Sequence, residues 1–334
     1  MRFGPVPLAE AEGAILAHSL VLPGGRLRKG LVLDPATLAR LAAAGVAEVI
    51  VARPDPADVA EDEAAARLAR ALVPDGAAAG LSCSAAFTGR VNLNAAAPGL
   101  VALEADRIHA LNRIDPAITL ATLAPLTRVE PGMLVGTVKI ISYAVDGRAL
   151  AAAEDAARAA IRILPVLRRT AGLLLTEVPG QEEKLTVKGR RSVEGRLAAL
   201  GMALAGCEVT AHEPAAMAGA LDRLPGEMLL ILTGSATSDL HDTAPEALRR
   251  AGGTVARFGM PVDPGNLLFH GMLGARPVIG LPGCARSPAL NGADWVLERL
   301  ACGLPVTDAD IAAMGVGGLL KEIPTRPQPR ERRF

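Results

Sequence analysis

Apolar runs and helically spaced apolar residues alternate from Arg168 onward with a regularity that the first half of the chain lacks. Strands are predicted at 171–176, 207–211, 228–232, 254–258 and 277–281, and helices at about 188–205, 214–224 and 244–251. Each strand is a short, nearly continuous apolar run between turn residues, the pattern of strands buried on both faces. Strand–helix alternation of this length implies right-handed crossovers between parallel strands, and so a mostly parallel, three-layer α/β domain over about 166–303. The region 1–165 reads as mixed α/β, in one or two subdomains. It has a turn at Pro23–Gly25, a hairpin arm at 26–33, a helix opened by Asp34 and Pro35 and stopped at Gly45, and a strand at 46–51. A helix at 56–72, strands at 89–94, 99–103 and 118–123, a long β-branched run at 134–145 and a helix at 149–163 complete it. The regular domain is expected to extend to 310. Residues 311–334, rich in glycine and proline with a basic end, read as a tail or linker.

The core is unusual in its materials. Half of the 334 residues are hydrophobic but only 2% are aromatic, so Ala, Leu, Val and Ile must fill the interior. Charge is balanced, 35 basic against 35 acidic residues, and gives no argument for nucleic acid; scarce aromatics also remove base-stacking platforms. No uncharged apolar run reaches the ~18 residues needed to cross a bilayer, and the amino terminus lacks the apolar stretch of a signal peptide. Cys83, Cys207, Cys284 and Cys302 are far apart and form no C-x-x-C pair, as expected of reduced thiols. A soluble, cytoplasmic protein is the expectation.

The candidate chemistry lies between Glu227 and Gly303. Two Gly-rich turns each follow a strand and precede a helix: Thr233-Gly-Ser-Ala-Thr-Ser238, leading to Asp242, and Pro282-Gly-Cys-Ala-Arg-Ser287. Between them lies Pro261-Val-Asp-Pro-Gly-Asn266. Backbone N–H groups at such turns form anion sites, and in a parallel sheet they collect at the carboxyl ends of the strands. A carboxylate beside a phosphate can share a divalent cation with it, which is the functional reading of Asp242. The bland reading is a helix cap, given the capping-box spacing of Thr243 and Glu246. Ser287-Pro288 likewise reads as an ordinary helix start. Lys184, Lys188, Arg190 and Arg191 are either a solvated face or a phosphate contact. Of the histidines near loops, His212, His241 and His270, only His241, beside Asp242, is retained as a candidate ligand contact. There is no Walker A, G-x-S-x-G or intact G-x-G-x-x-G pattern.

These three loops, in this order, resemble the molybdopterin-binding domain shared by molybdopterin molybdotransferases and adenylyltransferases. Leu232–Glu246 is similar to the T-G-G-x-(G/S)-x-x-x-x-D-x-T-P-E segment of that family, Gly259–Asn266 to its K-P-G-K-P loop, and Gly280–Ser287 to its G-L-P-G-N-P-x-S turn. The resemblance implies that Thr233, Gly234, Ser235, Thr237, Ser238, Pro264, Gly265, Asn266, Pro282, Gly283 and Ser287 bind molybdopterin or its adenylylated or metal-bearing form. It implies a catalytic and Mg²⁺-holding role for Asp242. Ser235 replaces the second glycine of the first motif, and Asp263 and Asn266 stand where the molybdotransferase branch has lysines. The chain as a whole is similar to a bacterial subgroup often fused ahead of a molybdenum cofactor cytidylyltransferase. The Pro-rich end is then expected to be a linker stub, or the end of a stand-alone version. Two functions follow from the resemblance: a transferase of molybdenum cofactor biosynthesis, or a non-catalytic carrier presenting the cofactor to a cytidylyltransferase. A homo-oligomer is expected in either case, with no nucleic-acid or membrane partner. An α/β enzyme acting on another phosphorylated small molecule is the remaining alternative.

Overall fold

The computed structural model describes residues 1–180 and 183–320; the proline-rich end of the expected tail lies outside the described residues. The chain divides into two compact units, Met1–Ala97 with Val101–Ile163, and Pro98–Leu100 with the chain from Leu164 onward.

The first unit opens with a three-stranded antiparallel sheet in which Glu48–Arg53 lies between Arg2–Pro7 and Ile15–Leu16. Leu8 donates its N–H to Ala47 O, so by alternation residues 2, 4 and 6 turn their backbone groups inward and Pro5 and Pro7 face the open edge. That is where a residue without an N–H is tolerated in a sheet. Asp34 Oδ1 accepts from Thr37 N–H at 2.7 Å and caps the helix Pro35–Ala43, as its sequence predicts. A four-stranded antiparallel sheet follows, in the order Ile118–Thr122, Leu134–Ile140, Arg90–Ala95, Leu81–Cys83. Helices Glu61–Leu72 and Gly147–Ala157 bury Leu68, Leu72, Leu150 and Ala153 with Val91, Leu93 and Val138. Two sequence expectations are corrected. The run 134–145 breaks after Ile140, and Ala144–Asp146 pairs with Asp58–Ala60 instead. The helix expected to reach 163 ends at Ala157, because Ala159 adopts a left-handed φ of 55° and Ile161 and Ile163 then alternate with Arg162 in a strand, Ile161–Pro165.

The second unit is built from β1 (Thr170–Glu177), α1 (Glu183–Ala198), β2 (Ala203–Ala211), α2 (Pro214–Arg223), β3 (Met228–Leu232), α3 (Thr243–Arg250), β4 (Thr254–Phe258), β5 (Phe269–Leu273), β6 (Arg276–Leu281), α4 (Gly292–Ala301) and α5 (Asp308–Ala313). Its six-stranded sheet has the order β2-β1-β3-β6-β5-β4. Strands β2, β1, β3 and β6 are parallel neighbours, whereas β5 is antiparallel to both β6 and β4. The chain is thus α/β with a mixed sheet, its parallel part where strand–helix alternation predicts it. Strand β5 is absent from the sequence-based expectation of a direct crossover from 254–258 to 277–281, and it makes the last connection a hairpin turned at Gly274, whose φ is 59°. Two antiparallel steps restore direction, so the carboxyl end of β4 lies on the same rim as that of β6.

Helices cover both faces of this sheet. On one, Met217, Leu221, Ala247 and Leu248 of α2 and α3 pack with Leu174, Leu229, Ile231 and Val278. The alternate residues Leu175 and Leu232 meet α1 at Gly189, where a Cβ would stand 2.9 Å from Leu232 Cδ2. Helix α1 begins earlier than its predicted start at 188 and ends at Ala198, with Gly201, at a φ of 68°, turning the chain into β2. Helix α4 packs on β6 and carries the single tryptophan, half-buried Trp295. The described part of the expected tail is folded: α5 is capped by Thr307 and Asp310, Ile311 and Met314 are buried, and residues 318–320 bracket Asp263. Asp263 N–H donates to Gly318 O at 2.8 Å, and Leu320 N–H to Asp263 O at 2.9 Å.

Candidate functional site

The chain leaves β1 for β2 on one side and then crosses to β3 on the other, so strand order reverses between β1 and β3. The crevice beyond the carboxyl ends of such strands is where open α/β sheets bind ligands. Here it is spanned by a short relay. Gly234, just past β3, donates its N–H at 2.8 Å to the hydroxyl of Thr176, which is 1% exposed near the end of β1. Thr176 Oγ1 lies 3.0 Å from Nδ1 of His212, which follows β2. The Thr176 oxygen thus accepts from Gly234 and shares a hydrogen bond with Nδ1 whose direction follows the His212 tautomer. Burial holds the His212 pKa below the ordinary histidine value, partly countered by the Asp242 carboxylate.

The first loop folds around Asp242. Asp242 Oδ2 accepts the Ser238 N–H at 2.9 Å and the Ser238 hydroxyl at 3.2 Å, and Oδ1 accepts the Thr243 N–H at 2.6 Å. Burial pushes the Asp242 carboxyl upward, but these bonds, with His212, outweigh it and hold the group below its ordinary range. Asp242, not Thr243, is therefore the N-cap of α3, and Glu246 pairs with Arg250 rather than closing a capping box. Thr233 is buried and donates its hydroxyl to Ser235 O at 2.5 Å; Thr237 is buried, while Ser235 and Ser238 are exposed. The N–H groups of Ser235 and Ala236 make no hydrogen bond among the described residues.

The third loop is held by Arg196 of α1, whose side chain is 9% exposed. Its Nε donates to Asp294 Oδ1 at 2.5 Å, Nη1 to Ala285 O at 2.9 Å, and Nη2 to Ser287 O at 2.9 Å and Ala289 O at 3.2 Å. Ser192 adds a second bond to Ala285 O at 2.8 Å. Ser287 is not the helix start its sequence suggests: Asn291, with Asp294, caps α4, and the Ser287 hydroxyl accepts from Ala289 N–H at 3.3 Å. Pro282 is buried and Gly283 exposed. Arg286 reaches to the end of the neighbouring β3, and its Nη2 donates to Thr233 O at 2.6 Å, joining the third loop to the first.

The middle loop approaches the same rim but is largely turned into the protein. Pro264 and Gly265 are buried, and Gly292 N–H donates to Pro264 O at 2.8 Å. A Cβ at Gly265, whose φ is +143°, would meet Gly292 N at 2.7 Å, so this close approach requires glycine. The Asp263–Pro264 peptide is cis. Asn266 is exposed, and its carbonyl accepts from Met260 N–H at 3.0 Å.

Two sequence-based candidates, His241 and the basic cluster on α1, lie away from the place expected of them. His241 is exposed, and its backbone N–H donates to Asp239; His212 is the histidine that Asp242 faces. Lys184, Lys188 and Arg191 line a shallow pocket on α1 with Val187, around the helix from Gly189 and Ser192, which face the loops; Arg190 pairs with Glu194 at 2.8 Å. Thr176, His212, Arg196 and Arg286 were not singled out as site residues, since only the fold brings residues so far apart together. Among the described residues, no group of three or more His, Cys, Asp or Glu side chains is placed to hold a metal ion, and no helix is long and apolar enough to cross a membrane.

A profile for a domain of unknown function, DUF8806, matches residues 5–53, in the first unit. No curated protein matches the chain. Among solved structures, it is similar to a molybdopterin biosynthesis MoeA protein from Pyrococcus horikosii, at 14% identity over 90% of this chain and 76% of that one, with a TM-score of 0.30. It is also similar to a molybdenum cofactor biosynthesis protein from Pyrococcus furiosus, at 12% identity over 90% of this chain and 61% of that one, with a TM-score of 0.21. Likenesses at this level carry no functional argument, which rests on the rim itself.

Proposed function

We propose that this rim binds molybdopterin, or its adenylylated or metal-bearing form, and that the protein holds it for metal insertion or handover in molybdenum cofactor biosynthesis. The observation that carries the reading is the fastening of the first loop on both sides: Gly234 to Thr176 of β1 across the strand-order reversal, and Thr233 to Arg286 of the third loop over the neighbouring β6. Loops that resemble the molybdopterin-binding motifs thereby form one wall, with the unbonded N–H groups of the exposed residues Ser235 and Ala236 offered to an anion. Asp242 fits Mg²⁺ only in a limited way. Its two oxygens already take three hydrogen bonds out of about four lone-pair sites. It can offer one ligand to a magnesium ion whose other ligands are phosphate oxygens and water.

The test is equilibrium binding of molybdopterin and of its adenylylated form, with and without Mg²⁺, to the wild type, Asp242→Asn and Asp242→Ala. Asn keeps the capping capacity and loses the charge, whereas Ala also loses a cap worth about 1 kcal/mol. The expected result is tight binding that Mg²⁺ strengthens, and loss of that Mg²⁺ effect in both variants. Failure of both forms to bind the wild type would overturn the reading.

The inward commitment of Asp242 favours a holding role over turnover. Mg²⁺-dependent molybdate insertion or nucleotidyl transfer by the isolated protein, abolished in Asp242→Asn, would instead establish the transferase.

A further inference from the structure

Arg286 carries a full positive charge in a half-buried place and has no acidic partner among the described residues. Burial alone displaces its pKa, downward, with no neighbouring charge contributing. Of its donors, Nη2 reaches the Thr233 carbonyl, Nε is buried without a partner, and Nη1 lies on the side of Gly283. A Cβ at Gly283 would stand 3.6 Å from Nη1, so the glycine leaves that end of the guanidinium uncovered. A partly desolvated cation without a counter-charge is costly to maintain, and the Nη1 donors beside Gly283 offer a charge-assisted hydrogen bond to a phosphate oxygen. Arg286 also ties the third loop, after β6, to the first, after β3, the strand on one side of the strand-order reversal. The middle loop supplies no cation, since Pro261-Val-Asp-Pro-Gly-Asn266 contains neither lysine nor arginine.

We propose that Arg286 is the anion-binding residue of this rim, receiving a phosphate group of the ligand. The proposal rests on the reading of the rim as a molybdopterin site for its ligand, but not for its chemistry, since any phosphate monoester or diphosphate would satisfy the same donors. The anion would meet Nη1 beside Gly283 and the unbonded N–H groups of the first loop, while Nη2 stays on Thr233 and keeps the guanidinium oriented.

The experiment measures binding of inorganic pyrophosphate and of molybdopterin to the intact wild type, Arg286→Lys and Arg286→Gln over a series of salt concentrations. Arg286→Gln is expected to lose at least tenfold in affinity for both and to show a shallower salt dependence. Arg286→Lys keeps the charge and loses the planar group that holds Thr233 and the anion together, so it should recover part of the affinity with the wild-type salt dependence. A structural tie between loops would behave differently: both variants would weaken equally and retain the wild-type salt slope, and that result overturns the proposal. Unchanged affinity in Arg286→Gln overturns it as well. Binding of pyrophosphate that depends on Arg286, without binding of molybdopterin, would uphold the anion site and remove the pterin reading. A wild type that binds neither would end both.

Discussion

At the scale of single residues, the rim depends on groups whose protonation is set by burial. His212 and His270 both have pKa values held below the ordinary histidine value, burial being the first cause in each. For His270, Asp308 counters that burial and Arg257 reinforces it, and its Nε2 is buried without a partner. A histidine depressed in the folded state binds fewer protons there than in the unfolded chain, so its contribution is fully present above the unfolded value of about 6.5 and is lost as pH falls from there through the lower folded value. The denaturation midpoint is therefore expected to decrease as pH is lowered from about 8 to about 5. His212→Gln and His270→Gln should each flatten part of that slope. A slope unchanged in both variants would mean that neither histidine is the group titrating. Residue-scale chemistry was only half legible in the sequence. The Gly, Pro and Asp residues of the loops announce themselves by type and spacing, because turns and caps are local. Thr176 and His212 do not, because their meaning comes from a contact across the crevice.

At the scale of elements, two fittings hold the rim in place. Arg196 fixes α1 to the third loop and to α4 through one guanidinium. Arg196→Met is expected to cost about 3 kcal/mol in chemical denaturation, because it strands the buried Asp294 carboxylate and frees two loop carbonyls. A loss under about 1 kcal/mol would show that water replaces the clamp. Within the sheet, Gly280 of β6 lies under the ring of Phe269 in β5, and a methyl group at that position would collide with the ring. Gly280→Ala should destabilise by about 2–3 kcal/mol through overpacking, and Phe269→Leu in the same chain should recover part of that loss. The same fitting explains why β5 escaped the sequence reading. Phe269-His-Gly-Met-Leu273 has a buried histidine and a glycine where a strand pattern would show branched apolar residues; Gly271 is there because a Cβ would collide with Thr254 O. By contrast, β1, β3 and β6 are buried on both faces and read as apolar runs from the sequence alone.

At the scale of the whole molecule, the scarcity of aromatic side chains has a practical consequence. The chain has one tryptophan and one tyrosine, and they fall in different units. Tyr143 lies in the first, its hydroxyl donating to Ala17 O at 2.8 Å. Trp295 lies in the second, on the helix whose start is capped by Asn291 and tied by Asp294 to Arg196. Indole emission excited at its red edge thus reports on the second unit alone, and phenol absorbance on the first. Without any label, the protein carries two optical channels that distinguish concerted from stepwise unfolding of its halves, one of them mounted on the helix that supports the third loop.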